Sequence, residues 1–438
     1  MEEKNTIKNN KAWVVAVNMG YGHQRTAYPL KKVAFDNKII NANSYKGIPE
    51  KDKKIWKSSR NFYEFISRFK KIPFIGDFIF YLYNKIQEIP NFYPRRDLSK
   101  SSLLLRKMFS IIIKKEWGKH LIEKLKKKKV PFITTFFTSA FMAEIFDYPR
   151  DIYCVICDAD IARAWAPLYP KKSRIKYFAP NSWTRDRLKL YGVKPKNIFL
   201  TGFPLPIENI GTEEMEILKN DLRYRLFNLD PKKEYSKKYN KLIEINLGPL
   251  PKVADHPLTI LFSIGGAGAQ KEMAIRFVKN LSERIKKGEI KIILSAGIRE
   301  KVRDYFWEEI QHLGLKPVLD KNIEILYDKD IYKYFDKFNQ KLRKTDILWT
   351  KPSELSFYSG LGVPIMIAPS IGSQEDLNRK WLLRVGSGIA QGNPNYVDQW
   401  LFDCINGGRF AEAAMEGFIK IEKKGVYNIE KIISNETY

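Results

Sequence analysis

One sequence feature narrows the possible folds more than any other, and it occurs twice. Near the N-terminus an apolar run, Ala12-Trp13-Val14-Val15-Ala16-Val17-Asn18, leads straight into a turn containing Gly20 and Gly22. In the second half, Leu258-Thr259-Ile260-Leu261-Phe262-Ser263-Ile264 leads into Gly265-Gly266-Ala267-Gly268-Ala269-Gln270 and then a helical run from Lys271 to Lys286. A short apolar run closed by glycine and followed by a helix opens a βαβ unit, which implies a parallel sheet buried on both faces. Similar runs follow each opening. They lie near Ile133–Phe136, at Ile152–Cys157, Lys176–Ala179 and Asn197–Gly202, and then at Ile290–Ala296, Ile323–Leu326, Ile347–Trp349 and Pro364–Ala368. The expected architecture is α/β, with two Rossmann-like doubly wound domains facing a cleft and ligands at the carboxyl ends of both sheets. The expected boundaries are 1–205 for an N-terminal acceptor-binding domain interrupted by an insertion at 51–129, and 206–255 for a connection with an inserted helix. Residues 256–410 form the second domain, and 411–438 are a helical segment able to return to the first.

A chain of 438 residues with 44% hydrophobic and 29% charged residues can bury two cores. Its charge is unusual. The formal net charge is +28, and residues 51–129 alone hold 22 Lys and Arg against 7 Asp and Glu. Such a balance points to nucleic acid, an anionic membrane surface or phosphorylated ligands. In 51–129 the cations are interleaved with rings, among them Trp56, Phe62, Tyr63, Phe65, Phe69, Phe74, Phe78 and Phe80, and the apolar stretch Leu103–Ile113 follows. An interfacial surface on anionic lipid fits this pattern. So do amphipathic helices packed on the sheet with a solvated lysine side, and both readings stay open. The first ten residues are polar, and the longest apolar candidate, Ile72–Tyr83, is short and carries Asp77. The expectation is a cytoplasmic protein associated peripherally with the inner face of the membrane. Three cysteines exclude a disulfide framework, and the C-x-x-C of Cys154 and Cys157 sits inside an apolar run that reads as a buried strand.

Four motifs could carry chemistry. In Asn18-Met19-Gly20-Tyr21-Gly22-His23-Gln24-Arg25, the glycines allow close backbone approach, a helix is expected to start near Arg25, and His23 is placed as a general base. The Gly265–Gln270 loop, between a strand and a helix, has the arrangement that cradles a diphosphate with backbone N–H groups. Thr350-Lys351-Pro352-Ser353-Glu354-Leu355-Ser356 follows a strand end and leads into a helix capped by Ser353. Ser373-Gln374-Glu375-Asp376-Leu377-Asn378 offers the paired donors and acceptors that hydroxyl-rich sugars need. For the last two, an N-capped helix with solvent-facing polar residues is the plain alternative.

These motifs, in this order, resemble those of the GT-B glycosyltransferases that include the monogalactosyldiacylglycerol synthases and the GlcNAc transferase of peptidoglycan lipid synthesis. The Gly20-Tyr21-Gly22-His23 turn is similar to theirs, as are Val155-Ile156-Cys157-Asp158 followed by Trp165, and Asn181-Ser182 with Thr201-Gly202-Phe203-Pro204. In the second half, the resemblance implies that Gly265, Gly266, Ala267, Gly268 and Gln270 hold the donor diphosphate. It assigns Lys351, Ser353, Glu354, Gln374, Glu375 and Asn378 to the donor sugar and nucleotide, and Gly20, Tyr21, Gly22 and Trp165 to the acceptor. The family's ribose-holding glutamate position is Phe357 here, with Glu354 one helical turn earlier.

The implied reaction moves a hexose-type sugar, with inversion, from a nucleotide-diphosphate donor (a UDP-sugar) to an acceptor hydroxyl of a membrane lipid. His23, or Asp158 with Asp160, serves as the base. No metal or other cofactor is expected, since no His, Asp or Glu cluster has ligand spacing. The expected partners are the nucleotide-sugar donor and an anionic membrane surface at 51–129, with no nucleic acid. Two rivals remain: a nucleotide-sugar 2-epimerase on the same fold, and a nucleic-acid-binding protein suggested by charge and aromatics.

Overall fold

The computed structural model describes residues 11–69, 89–263, 265, 270–370 and 373–435. The candidate span Ile72–Tyr83 and the loop residues Gly266, Ala267 and Gly268 lie outside these. The chain divides into two units, one formed by 1–19, 23–204 and 424–438, the other by 20–22 and 205–423.

The first unit is built on six parallel strands: β1 (Ala12–Ala16), β2 (Ala34–Asn41), β3 (Phe132–Thr134), β4 (Ile152–Val155), β5 (Lys176–Ala179) and β6 (Ile198–Leu200), in the order β2-β1-β3-β4-β5-β6. The second carries β7 (Leu258–Ser263), β8 (Ile290–Gly297), β9 (Ile323–Tyr327), β10 (Ile347–Thr350), β11 (Ile365–Ile367) and β12 (Gly388–Ala390), also parallel, in the order β12-β11-β10-β7-β8-β9. Helices joining successive strands cover the sheets, so the central strands are largely apolar; β4 is buried at every position.

Two strands have no counterpart among the apolar runs. In β2, Asp36 and Asn37 adopt φ of +53° and +52°, and the pairing jumps from Ala12↔Ala34 to Val14↔Ile39. This bulge splits the apolar residues of the strand around polar ones, which erases its pattern. The edge strand β12 has three residues and starts on a glycine. The first helix begins at Tyr21, not near Arg25, because Gly20 with φ +108° turns the chain early.

The 206–255 segment is part of the second unit rather than a separate connection. Its helix Glu216–Leu229 buries Arg225, whose guanidinium donates only to backbone carbonyls: Thr345 at 2.7 Å, Leu361 at 3.1 Å, and Gly362 and Leu342 at 3.3 Å. A positive group thus satisfies the chain ends around β10, with the charges of Asp346 and Asp221 offsetting part of its burial cost. From Lys424 the chain belongs to the first unit again. There the Asn428 side chain donates to the Thr201 carbonyl at 2.8 Å, and Gly425 lies so close to the Phe203 carbonyl that a Cβ would sit 2.1 Å from its oxygen.

Within 51–129, packing accounts for several rings. Trp56 and Trp117 are each 4% exposed and meet edge to face at 4.6 Å. The helix Leu103–Lys114, capped by Ser102, buries Leu105, Phe109 and Ile112. Outward it shows Leu103 (79% exposed) and Ile113 (57%) beside exposed Arg106, Lys107 and Lys114. Among the described residues no helix is long and apolar enough to cross a membrane. Cys154 and Cys157 are buried and unbridged, and burial pushes the Cys154 thiol pKa up.

At the amino-terminal edge of the second sheet His256 bridges two carboxylates. One ring nitrogen meets Asp255 and the other lies 3.3 Å from Asp346, which is buried and also accepts from the Thr259 N–H at 2.8 Å and the Asn228 amide at 3.1 Å. With both ring nitrogens facing acceptors the imidazolium is favoured. Burial works against it, but the hydrogen bond and charge of Asp346, aided by Asp255, raise the pKa above 6.5. Lys344 lies 3.9 Å from Asp255, and Arg225 also acts on Asp346. A raised folded pKa contributes stability fully present below about pH 6.5, the unfolded value, and lost as pH rises through the folded one. Urea titrations should therefore show His256→Gln losing stability against the native chain at pH 6 and the gap narrowing at higher pH; a gap independent of pH would refute the charged bridge.

Candidate functional site

A doubly wound sheet opens a crevice where strand order reverses, at the carboxyl ends of the two diverging strands. In the first unit this point lies between β1 and β3, in the second between β7 and β10. Most of the motifs singled out in the sequence sit at one or the other.

In the first unit, β1 ends in the turn Gly20–Gly22, which starts the helix Tyr21–Ala27, and this helix carries His23. Its Nδ1 lies 2.7 Å from the Thr135 carbonyl, just beyond β3, and the Thr135 hydroxyl donates back to the His23 carbonyl at 2.8 Å. A carbonyl only accepts, so Nδ1 carries the proton and Nε2 presents its lone pair. Phe136 packs edge-on against the ring at 4.8 Å, Trp165 lies at 6.4 Å, and the Cys157 sulfur is 3.4 Å from Nδ1. Burial lowers the His23 pKa to about 4, the bond to Thr135 offsetting part of the effect. The result is a neutral imidazole of fixed tautomer, with its lone pair on Nε2.

The two aspartates beyond β4 part company. Asp158 is half-buried at the strand end. Asp160 is not available as a base. Its carboxylate receives Arg187 through Nε at 2.9 Å and Nη2 at 2.8 Å, the Trp183 indole at 2.7 Å and the Ile161 N–H at 2.9 Å. Arg187 goes on to the Pro90 carbonyl at 2.8 Å and lies over the Phe92 ring at 4.9 Å. Asp160 is thus an anchor tying the segment after β4 to the helix Ser182–Leu190, whose Arg187 also holds the chain near residue 90. Trp165 is buried, with its carbonyl taking the Tyr177 hydroxyl at 2.8 Å and its ring 5.2 Å from Phe137.

In the second unit, Thr350 at the end of β10 pairs with Ser263 at the end of β7 and its hydroxyl donates to the Ser263 carbonyl at 3.2 Å. This sets Lys351 against Gly265. A Cβ on Gly265 would come 2.4 Å from Lys351 Cε, so the glycine leaves the space in which the lysine stem lies across the start of the loop, and a side chain there would displace it. The ammonium is ion-paired with Glu375, on the first turn of the helix Ser373–Val385. Gln270, at φ +75°, ends the loop and donates to the Pro369 carbonyl at 2.9 Å. Gly265, Lys351, Glu375 and Gln270 therefore gather around the carboxyl ends of β7, β10 and β11.

Ser353 caps the 3-10 helix Glu354–Leu361, accepting from the Leu355 N–H at 3.4 Å. Glu354 and Asn378 are buried and Gln374 is half-buried. Phe357 is fully buried, its ring 4.8 Å from Trp381, so this position belongs to the core. Among the described residues no three His, Cys, Asp or Glu side chains group as metal ligands. The contribution of Thr135 was not singled out from sequence; the strand end carrying it was legible, but a backbone carbonyl has no residue signature.

Two measurements follow from this geometry. Asp160→Ala leaves Arg187 buried without its partner and should cost about 3–5 kcal/mol in a denaturant titration; a loss under about 1 kcal/mol would mean the pair is solvated. An NMR titration of the His23 ring should show a midpoint near pH 4, whereas one near 6.5 would show a ring open to water.

Residues 252–321 match a family described as a domain of unknown function, DUF6938. No curated protein matches the chain in sequence. Among solved structures, MnaA of S. aureus in a co-structure with UDP is 14% identical with a TM-score of 0.50, covering 97% of this chain and 96% of that one. MurG of Acinetobacter baumannii is 12% identical with a TM-score of 0.48, covering 97% and 99%. A UDP-GlcNAc 2-epimerase from Neisseria meningitidis bound to UDP-GlcNAc is 14% identical with a TM-score of 0.43, covering 82% and 87%. What the chain shares with the first of these, over nearly the whole of both chains, is the fold: two Rossmann-like parallel sheets of the GT-B class.

Proposed function

We propose that the protein is a glycosyltransferase that moves a hexose-type sugar from a nucleoside diphosphate, in the first instance UDP, to an acceptor hydroxyl. The observation that carries the reading is the close fit of Lys351 over Gly265 at the β7/β10 reversal point, where a cation and a side-chain-free loop start lie together. A diphosphate needs both a counter-charge and close backbone approach. The UDP in the MnaA structure is consistent with a nucleotide on this fold.

In the proposed reaction, His23 Nε2 takes the proton of the acceptor hydroxyl as its oxygen attacks the anomeric carbon. The bond from that carbon to the diphosphate oxygen breaks, and the electron pair leaves with the diphosphate. Lys351 meets the charge that develops there, so the reading requires no metal ion. Attack opposite the leaving group inverts the anomeric centre. A membrane-lipid acceptor is proposed from the mixed apolar and cationic outward face of Leu103–Lys114.

The test has two stages. Thermal stabilisation against UDP, UDP-glucose, UDP-galactose and UDP-GlcNAc should reveal binding, and Gly265→Val should abolish it. Turnover with EDTA present, with liposomes bearing diacylglycerol, should then release UDP. His23→Ala should lower that turnover about 100- to 10,000-fold while leaving UDP binding in place. Stabilisation by none of the nucleotides would overturn the reading. Conversion of UDP-GlcNAc to its 2-epimer without an acceptor would replace transfer by epimerisation.

A further inference from the structure

The ion pair between Lys351 and Glu375 joins the group proposed to hold the diphosphate to one proposed to hold the sugar. The two residues come from different strand–helix connections, 24 positions apart, and both side chains are half-buried, at 22% and 15% exposure. The lysine stem passes over Gly265, where a Cβ would come 2.4 Å from its Cε, so the one ammonium serves both the loop start and Glu375. A phosphate that engages Lys351 therefore competes with Glu375 for the same cation.

Resting on the function proposed above, we infer that Glu375 is a specificity-determining residue that favours the sugar-bearing nucleotide over the free diphosphate. A nucleotide sugar takes Lys351 through its phosphates and offers Glu375 sugar hydroxyls as hydrogen-bond donors in exchange. A free diphosphate takes the lysine and offers nothing. It also brings an additional negative charge on its terminal phosphate toward a half-buried carboxylate, where like charges repel more strongly than in open water. Once the glycosyl group has left, the diphosphate product faces a glutamate without its hydroxyl partners, and re-formation of the Lys351–Glu375 pair opposes its retention. The pair is thereby a device against product inhibition built into the donor site.

The experiment compares dissociation constants of UDP and of the UDP-sugar that binds best, by calorimetry, for the native chain and for Glu375→Gln. The amide keeps the size of the side chain and its ability to bond a hydroxyl but removes the charge. UDP should bind Glu375→Gln about five- to ten-fold more tightly, and the preference for UDP-sugar over UDP should shrink by at least that factor. Lys351→Met should weaken both ligands. Near-UV circular dichroism checks folding, and Glu375→Ser carries the same expectation for UDP if the glutamine variant does not fold. Unchanged or weaker UDP binding by a folded Glu375 variant overturns the inference while leaving the transferase reading intact. A native chain that binds neither ligand overturns both.

Discussion

Parallel strands cannot be joined by tight turns, so every connection must cross from one end of the sheet to the other. All the carboxyl ends then face the same way, and where the order of strands reverses, two neighbouring connections leave in opposite directions. In the first unit this separates the turn after β1 from the connection after β3; in the second it separates the loop after β7 from the segment after β10. His23 and Lys351 hang on those four strand ends, with Asp158 after β4 and Glu375 after β11 beside them. Thr135 fixes the tautomer of His23 because β3 ends one residue earlier beside β1. Lys351 reaches across Gly265 because β10 and β7 end in register at Thr350 and Ser263.

The large positive charge has more than one origin. Arg163 donates to the carbonyls of Ser99, Ala166 and Pro167, and Arg225 spends its guanidinium on four further carbonyls. Arg187 is shared between Asp160 and the Pro90 carbonyl. These three cations are structural parts that hold irregular chain in place, and a net charge summed over the whole chain cannot separate them from the exposed Arg106, Lys107 and Lys114. Only the outward group bears on a partner.

Much of the fold was legible because buried parallel strands write themselves as uninterrupted apolar runs, as in Ile152–Val155 and Leu258–Ser263. Where a strand bends, the signal disappears: Asp36 and Asn37 make β2 look like a loop. At the site, the glycine loop and His23 were visible as local patterns. The roles of the acidic residues were not. Asp158 and Asp160 look alike in sequence, and only Arg187, 27 positions on, makes the second of them an anchor. Glu375 likewise gains its meaning from Lys351, and Phe357 its core position from Trp381, contacts that local spacing does not encode.

The return of the chain at Lys424 bears on how the protein is made. The first unit includes the helix Gly425–Asn435, whose Asn428 closes on Thr201, 227 positions earlier. The second unit, continuous from 205 to 423 but for the short turn 20–22, lies wholly within that gap. On a ribosome, which releases the chain from its N-terminus, the first sheet must wait for the entire second unit to emerge before its last helix can dock. During that interval the seat of that helix beside Thr201 and Phe203 stays uncovered, while the second unit already has nearly all of its own chain. The first unit therefore completes its packing only after the second has been synthesised.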